Sequence, residues 1–271
     1  MLKKLQPLPP IATQLMNMVS DGEVAFGRMA EKIKLDPAFS AEVLTLANSP
    51  LIGCRGTVNN ILHAVALLGL ERMKSLVLMV ALRNFLSRAL EVPALERCWR
   101  HSLACAFLAE EIAAATCWMD RDQCYTAGLM HDIGRLALLA NHPAEYARVI
   151  ECVDRTGCDI LECEREIFGI DHREAGRQLM IEWNFPPLFA EVASRHTGQS
   201  ENGFDARAIV LLSCEIANLL GFQVAGPAPE GNADLIRAKL PEPLRRKMSG
   251  ENDLLEFVSA KINALQCSFT N

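Results

Sequence analysis

The chain has 271 residues, of which 50% are hydrophobic and only 6% aromatic, and it carries a formal net charge of −6. This length allows one large domain or two small ones, each with a sizeable core. The acidic balance argues against a general nucleic-acid binder, because such proteins present clustered basic charge to the phosphate backbone. The abundance of Leu, Ala, Met and Ile favours helices over strands. We therefore expect an all-α protein.

The cysteines and the apolar runs indicate the cellular compartment. The ten cysteines are scattered and form no CxxC pair. Two early lysines are followed by prolines before any apolar run develops, which is not typical of a secretory segment. The longest apolar run, residues 76–82, is far shorter than the roughly 20 residues of a membrane span. We expect a cytoplasmic protein with reduced thiols and no membrane partner.

The first ninety residues predict a bundle of about five short helices. Asp36-Pro37 is a strong start signal, because a capping carboxylate precedes a proline at the first helical position. Asn59 or Asn60 is expected to cap the next helix in the same way. None of these helices carries a cluster of metal-binding side chains, so this part is predicted to be a scaffold without chemistry of its own.

The stretch 127–139 predicts an apolar helix with a His-Asp doublet, His131-Asp132, at its centre. Side chains at adjacent helical positions can both reach one point beside the helix axis. Asp132 falls on the stripe expected to face the core, where a carboxylate is costly unless it is paired or bound to a metal. Gly134 weakens the helix by about 1 kcal/mol relative to Ala, so we expect another element to approach closely there. Taken alone, the doublet is also compatible with a satisfied buried Asp and a half-exposed His.

Histidines from further predicted helices can converge on this doublet. His101 lies in line with Cys105 on an apolar stripe, His172 follows the N-cap candidate Asp171, and His196 closes a later helix. The order His, His-Asp, His, His extends over about 95 residues. Imidazole and carboxylate together suit iron, zinc, manganese or nickel better than calcium. The pattern predicts a site for a single divalent transition metal, or no cofactor at all.

Several segments resemble the HD superfamily, and most closely its HDOD branch. They are WRHSLACAFLAEEIA at 99–113, YTAGLMHDIGRLALL at 125–139 and GIDHREAGRQLMIEWNFPPLFAEVASRH at 169–196, with LPPIATQLMNMVSD, IKLDPAFSAEVLTLANS and NNILHAVALLGLERMKSLVL before them. The resemblance covers roughly residues 7–222. It implies an N-terminal bundle of about five short helices, residues 1–90, packed on an HD-like helical domain, residues 91–222. A linker and C-terminal helix, residues 223–271, would follow.

The resemblance also implies a metal-ligand set. Five residues match ligands of catalytic HD phosphohydrolases, namely His101, His131, Asp132, His172 and His196. The first three match three of the four core ligands, and the last two match additional histidines of two-metal relatives. Cys214 stands nearest to the position where catalytic relatives carry a late metal-binding Asp. A thiolate there could bind a soft metal, but we expect a small buried core residue. Arg135 would offset phosphate charge if it faced the pocket, but we expect a solvated surface residue.

Two functions follow from this resemblance. The first is a non-catalytic output or adaptor module of bacterial signal transduction, which acts through regulatory or signalling proteins and has a degenerate HD pocket that can hold one metal ion. The rival is a metal-dependent phosphohydrolase acting on a nucleotide or cyclic dinucleotide, in which the metal polarises phosphate and lowers the pKa of a bound water. A nucleic-acid-binding domain is disfavoured, because no recognition helix is apparent. The sequence does not predict the oligomeric state.

Overall fold

The computed structural model describes residues 10–18, 22–53, 57–86, 92–116, 121–194, 205–226, 233–247 and 251–268. Within these residues the regular structure is helical and contains no strand, so the predicted all-α class is confirmed. None of the described helices combines the length and the hydropathy that a membrane span requires. The chain divides into two compact units. The smaller comprises residues 7–85 and 259–271, and the larger comprises residues 1–6 and 86–258.

The smaller unit contains the first five helices, apart from the last residue of the fifth. They are α1 (Pro10–Met16), α2 (Gly22–Lys34), α3 (Pro37–Ala47), α4 (Ile61–Leu68) and α5 (Leu70–Leu86). The predicted helix starts are confirmed, because Asp36 accepts a hydrogen bond from the N–H of Phe39 and Asn60 from that of His63. Helices α2, α3 and α4 contact one another and bury a shared apolar core.

The larger unit contains the remaining helices, except for the C-terminal part of the last one. They are α6 (Pro93–Thr116), α7 (Arg121–Met130), α8 (Ile133–Asn141), α9 (Pro143–Thr156), α10 (Ile160–Phe168), α11 (His172–Glu182), α12 (Pro187–Ser194), α13 (Ala206–Ala217), α14 (Ala233–Lys239), α15 (Glu242–Lys247) and α16 (Glu251–Ser268). Helix α6 is buried over most of its length and contacts α7, α8, α9, α13 and α15. It is therefore the central helix of this unit.

A π-helical turn, Asn218–Phe222, extends α13. Within it Gly221 adopts a φ of 86°, in the left-handed region that favours glycine. The turn ends the helical path of α13 and carries the chain on to residues 223–226. It thereby places the main chain at position 222 beside α6, which the turn contacts.

The His-Asp doublet lies at a break between two helices. A single helix through His131 and Asp132 was expected, and this prediction is wrong, because α7 ends at Met130 and α8 begins at Ile133. Asp132 adopts φ −104° and ψ 21°, and its carbonyl accepts the first hydrogen bond of α8, from the N–H of Leu136. Apolar periodicity cannot detect such a break, since the residues on both sides of it are buried. The two side chains of the doublet consequently reach different partners.

Gly134 allows α11 to approach α8 closely, as its position in an apolar helix predicted. A Cβ atom at Gly134 would collide with the backbone of His172 and of Gly176 on α11. Backbone atoms cannot move aside as a flexible side chain can. The spacing between α8 and α11 therefore depends on this residue.

Gly134→Ala is expected to destabilise the protein by about 3 kcal/mol or more, the upper end of the cost of overpacking. The matched control is Gly27→Ala on α2, where an added Cβ meets nothing within 4 Å. That change should be neutral or stabilise by up to about 1 kcal/mol, because alanine favours helix. Thermal melting of both variants measures the difference, and equal melting temperatures would contradict the close approach at Gly134.

Candidate metal centre

Four side chains of types that can bind a metal ion converge in the core of the larger unit. His101 and Cys105 lie one turn apart on α6, His131 lies at the α7–α8 turn, and Cys214 lies on α13. All four residues are buried. Helices α7 and α13 both pack against α6, which brings the four side chains together. Among the described residues, their ligand atoms lie within 4.8 Å of one another.

The separations between these atoms suit a four-coordinate ion. Nε2 of His101 lies 3.3 Å from Nε2 of His131 and 3.5 Å from the Sγ atoms of both Cys105 and Cys214. A tetrahedral zinc ion binds nitrogen at about 2.0–2.1 Å and sulfur at about 2.3 Å, so its ligand atoms are about 3.3–3.8 Å apart. The three observed separations fall within this range. The geometry around His101 therefore fits a tetrahedral metal ion, and the other pairs of ligand atoms lie within 4.8 Å of each other.

Backbone carbonyls orient both imidazole rings. Nδ1 of His101 lies 3.0 Å from the carbonyl oxygen of Phe222, and Nδ1 of His131 lies 2.6 Å from that of Gly128. A carbonyl oxygen can only accept a hydrogen bond, so these contacts assign the proton to Nδ1 and leave Nε2 with its lone pair. Metal-binding histidines are typically oriented by such partners.

The electrostatics of the cluster favour a bound cation. A hydrogen bond from Cys105 holds the pKa of the Cys214 thiol well below its usual value, although burial opposes this. Burial raises the pKa of Cys105 well above its usual value. Burial lowers the pKa of His131, but Asp132 and Cys214 outweigh this effect and the net shift is upward. An environment that favours a proton on an imidazole also favours a metal ion, and metal binding releases such protons.

An arginine holds the aspartate of the doublet. Oδ2 of Asp132 lies 3.0 Å from Nε of Arg135 and 3.9 Å from Nε2 of His131. Arg135 is only 8% exposed, so the prediction of a solvated surface residue is wrong. Burial lowers the pKa of Arg135, but Asp132, Tyr146 and Glu164 together outweigh this effect, so the guanidinium keeps its charge. The protein itself thus supplies the positive charge that balances Asp132.

His172 belongs to the same ion-pair network and is held by Glu164. The backbone N–H of His172 donates to Oε2 of Glu164 at 2.8 Å, and its Nδ1 lies 2.6 Å from the same oxygen. The hydroxyl of Tyr146 donates to Oε1 of this carboxylate. Nε2 of His172 lies 3.0 Å from Nη2 of Arg135 and 3.7 Å from Oδ1 of Asp132. Both ring nitrogens of His172 therefore have polar partners within the protein.

The five predicted ligands are thus placed in different ways. His101 and His131 meet in the four-residue cluster. Asp132 and His172 lie beside the cluster, in the network of Arg135 and Glu164. His196 lies outside the described residues.

Two cysteines complete the cluster, and sequence reasoning did not select them as ligands. The sequence pattern predicts a buried core residue at Cys214, with a thiolate ligand as the alternative. It predicts Cys105 only as part of the apolar stripe of α6. A signal for Cys105 existed, since it follows His101 by four residues on a buried helix. Cys214 can be identified as a ligand only when α13 is known to pack against α6, and no local sequence pattern specifies that packing.

Glu164→Gln is expected to destabilise the protein by about 2–3 kcal/mol at pH 7, because the buried carboxylate accepts charge-assisted hydrogen bonds. Burial raises the pKa of Glu164, but His172, Arg135 and Tyr146 together lower it below its usual value. Because the pKa of Glu164 is lower in the folded than in the unfolded state, its ionised carboxylate stabilises the folded protein. This stabilisation is fully present above the unfolded pKa of about 4.3, and it is lost as the pH falls through the folded pKa.

The difference between wild type and Glu164→Gln should therefore shrink in acid. Urea unfolding midpoints at pH 7 and at about pH 3.5 measure this change. Glu162→Gln, at an exposed position of the same helix, is the control and should match wild type at both pH values. A Glu164→Gln difference that grows in acid would contradict the assigned network.

The chain is thus an all-α protein with a buried cluster of two histidines and two cysteines. The sequence profile of the HDOD domain matches residues 5–198, and the chain belongs to this family. The resemblance drawn from the motifs is confirmed.

Solved structures share this fold over nearly the whole chain. An HDOD domain protein of unknown function from Geobacter sulfurreducens superposes with a TM-score of 0.72 at 23% identity, covering 98% of this chain and 92% of that one. A candidate phosphohydrolase from Shewanella amazonensis gives 0.71 at 23% identity, covering 98% and 94%. The MmoQ response regulator from Methylococcus capsulatus gives 0.50 at 26% identity, covering 91% and 98%.

A similarity in sequence extends to a longer protein. An uncharacterized protein from Treponema pallidum is 23% identical over 195 residues, which cover 70% of this chain and 37% of that protein. The chain therefore matches little more than a third of the length of this relative.

Proposed function

We propose that this protein is a non-catalytic output or adaptor module of a bacterial signal-transduction pathway. It acts in the cytoplasm through regulatory or signalling protein partners, and its pocket holds one metal ion in a structural role. The observation that carries this proposal is the closed donor set of the cluster. Structural zinc sites are closed by four protein ligands, whereas catalytic zinc sites keep one position open for water or substrate.

Zinc suits the donor set better than iron, manganese or nickel. Two thiolates and two imidazoles near tetrahedral spacing are typical of zinc, whereas manganese favours oxygen ligands. When bound, the ion would link α6, α13 and the α7–α8 turn and would contribute free energy of folding. His101 and His131 keep their predicted role as ligands, joined by Cys105 and Cys214.

Asp132 and His172 take a supporting role in this proposal. Oδ2 of Asp132 and Nε2 of His172 would each have to leave the guanidinium of Arg135 before they could bind a metal ion. Breaking a buried ion pair is strongly unfavourable. The network therefore favours one ion in the cluster over a two-metal site.

Family membership and one relative support a signalling role. The chain belongs to the HDOD family, and one related structure is that of a response regulator. The proposal carries this class of role over to the present chain, with another protein as the partner.

A metal-dependent phosphohydrolase acting on a nucleotide or cyclic dinucleotide is the second candidate. A cavity of about 230 Å³, lined by His101, Asp132, Arg135 and Cys214 among others, favours it, because an anion there would meet a guanidinium. Ligand pockets usually measure about 300–1,000 Å³, so this cavity is small for a nucleotide and smaller still for a cyclic dinucleotide. Its size and the engagement of Arg135 by Asp132 support the non-catalytic proposal.

Metal analysis combined with a phosphoesterase screen tests these functions. Wild type, His131→Ala, Asp132→Ala and the control His63→Ala, at an exposed position outside the pocket, are compared. The substrates are p-nitrophenyl phosphate, nucleotides and cyclic dinucleotides. We expect one equivalent of zinc in wild type and His63→Ala, loss of zinc in His131→Ala, and no turnover in any sample.

Other outcomes separate the candidates. Turnover by wild type that disappears in both His131→Ala and Asp132→Ala would overturn the non-catalytic proposal. If wild type contains no metal and shows no turnover, the proposed structural ion is contradicted and the adaptor role alone is supported.

A further inference from the structure

A second group of thiols lies on the hairpin that joins α9 to α10. Cys152 belongs to α9, Cys158 to the connection between the helices, and Cys163 to α10, and we call these three residues the hairpin thiols. Their Sγ atoms lie within 4.8 Å of one another. All three are partly exposed, in contrast to the buried cysteines of the metal cluster. The hairpin thiols are therefore a separate group that reagents in solution can reach.

Cys158 and Cys163 form the closest pair among the hairpin thiols. Their Sγ atoms are 2.9 Å apart, whereas Sγ of Cys158 lies 3.9 Å from that of Cys152. A disulfide bond is about 2.05 Å long, so the sulfur atoms of the closest pair need to approach by roughly 0.9 Å to bond. Formation of this bond requires a small movement within one hairpin.

The two thiols of this pair differ in acidity. Hydrogen bonds from Cys163 and from Thr156 lower the pKa of Cys158. The same hydrogen bond raises the pKa of Cys163 to about 12. A partly exposed thiolate beside a protonated thiol is the arrangement found in redox-sensitive cysteine pairs, because the thiolate is the nucleophile and its neighbour resolves the product.

We propose that Cys158 is a site of oxidation by hydroperoxides and that Cys163 converts the product into a disulfide. The Cys158 thiolate attacks one peroxide oxygen, so an S–O bond forms while the O–O bond breaks. The hydroxide or alkoxide released takes a proton from water. Cys163 then gives up its proton and attacks the sulfenic sulfur of Cys158, so the S–S bond forms and the S–O bond breaks. The departing hydroxide and this proton form water, and two electrons have passed from the thiols to the peroxide.

This modification would alter one wall of the pocket. Cys158 lines the same cavity as His101, Asp132, Arg135 and Cys214. A disulfide would tie Cys158, which lines that cavity, to Cys163 on α10. The oxidation site thus goes beyond the proposed adaptor role and gives such a module a chemical input. Its chemistry stands whether or not the metal cluster is occupied.

Peroxide treatment of the reduced full-length chain tests the proposal. Remaining thiols are blocked with N-ethylmaleimide and peptides are identified by mass spectrometry. We expect a Cys158–Cys163 disulfide in wild type and in Cys152→Ser, and none in Cys158→Ser. In the double variant Cys152→Ser/Cys163→Ser, which removes both neighbouring thiols, the reaction should stop at a Cys158 sulfenic acid, which dimedone traps. Circular dichroism melting of each variant verifies that it is folded.

Alkylation before oxidation provides an independent measurement. Each unit of pKa lowering multiplies the thiolate fraction about tenfold and reduces nucleophilicity about threefold, so the net gain in rate is about threefold. Cys158 should therefore react with iodoacetamide faster than Cys267, an exposed cysteine on α16.

Three results would overturn the proposal. The first is a peroxide-treated wild type in which Cys158 and Cys163 stay as reactive towards maleimide as Cys267. The second is a disulfide that involves Cys152 instead of the closest pair. The third is a thiophilic metal ion that copurifies with wild type, protects the hairpin thiols and is lost in Cys158→Ser, since that would identify a metal site.

Discussion

Cys214→Ala is expected to abolish stoichiometric metal binding and to lower the melting temperature by roughly 10 °C. Cys214 supplies one of four ligands, and its Sγ lies 3.5 Å from Nε2 of His101. A ligand present at about 1,000 times its Kd stabilises the folded state by about 4.1 kcal/mol. For a domain of 150–250 residues, 1 kcal/mol corresponds to about 2–4 °C in melting temperature. Inductively coupled plasma mass spectrometry and thermal melting provide the two measurements.

The control for this experiment is Cys124→Ala on α7. Cys124 is also buried but lies outside the cluster, so its loss should affect packing and leave the metal content unchanged. A strong chelator should lower the melting temperature of wild type and of Cys124→Ala, and should leave that of Cys214→Ala unaffected. A full equivalent of metal in Cys214→Ala would show that the thiolate is not a ligand.

Arg135→Met is expected to destabilise the protein by about 3–5 kcal/mol while leaving the metal content unchanged. The substitution leaves the carboxylate of Asp132 buried without its 3.0 Å partner, which is the costly way to break a buried ion pair. Adding Asp132→Asn removes the uncompensated charge, so the double variant should be more stable than the sum of the two single changes implies. We expect a coupling energy of about 1–3 kcal/mol in the double-mutant cycle.

An exposed pair with the same spacing provides the comparison. Arg177 contacts Glu174 at 2.7 Å with the same three-residue separation, but its side chain is 42% exposed. Arg177→Met should therefore cost no more than about 1 kcal/mol. Urea denaturation of both variants measures the difference. If Arg135→Met is as mild as Arg177→Met, the ion pair of Asp132 does not stabilise the core.

The fold was largely predictable because its signals are local or repeat along the chain. The capping carboxylates of Asp36 and Asp171 mark helix starts, and the structure confirms both as N-caps. The domain boundaries at residues 90 and 222 stay predictions. The break at His131-Asp132 was not predictable from periodicity, since buried residues continue on both sides of it.

The candidate site was predictable only in part. The histidine pattern predicted that His101 and His131 would meet, and their Nε2 atoms lie 3.3 Å apart. Cys214 is a ligand candidate and not only a core residue because α13 packs against α6. This packing is a tertiary property that a local sequence pattern does not encode. The burial of Arg135 depends on its pairing with Asp132, since an unpaired guanidinium would remain at the surface.

The π-helical turn after α13 has a consequence for how the ring of His101 is controlled. Its hydrogen-bond partner is the main-chain oxygen of residue 222, which any amino acid at that position would offer equally. The direction of that oxygen follows from the φ of 86° at Gly221, a conformation that costs an L-residue about 1–2 kcal/mol. Gly221 has no side chain and can adopt this conformation without strain. It therefore controls the tautomer of the buried His101 ring, although it lies one position before the carbonyl that the ring contacts.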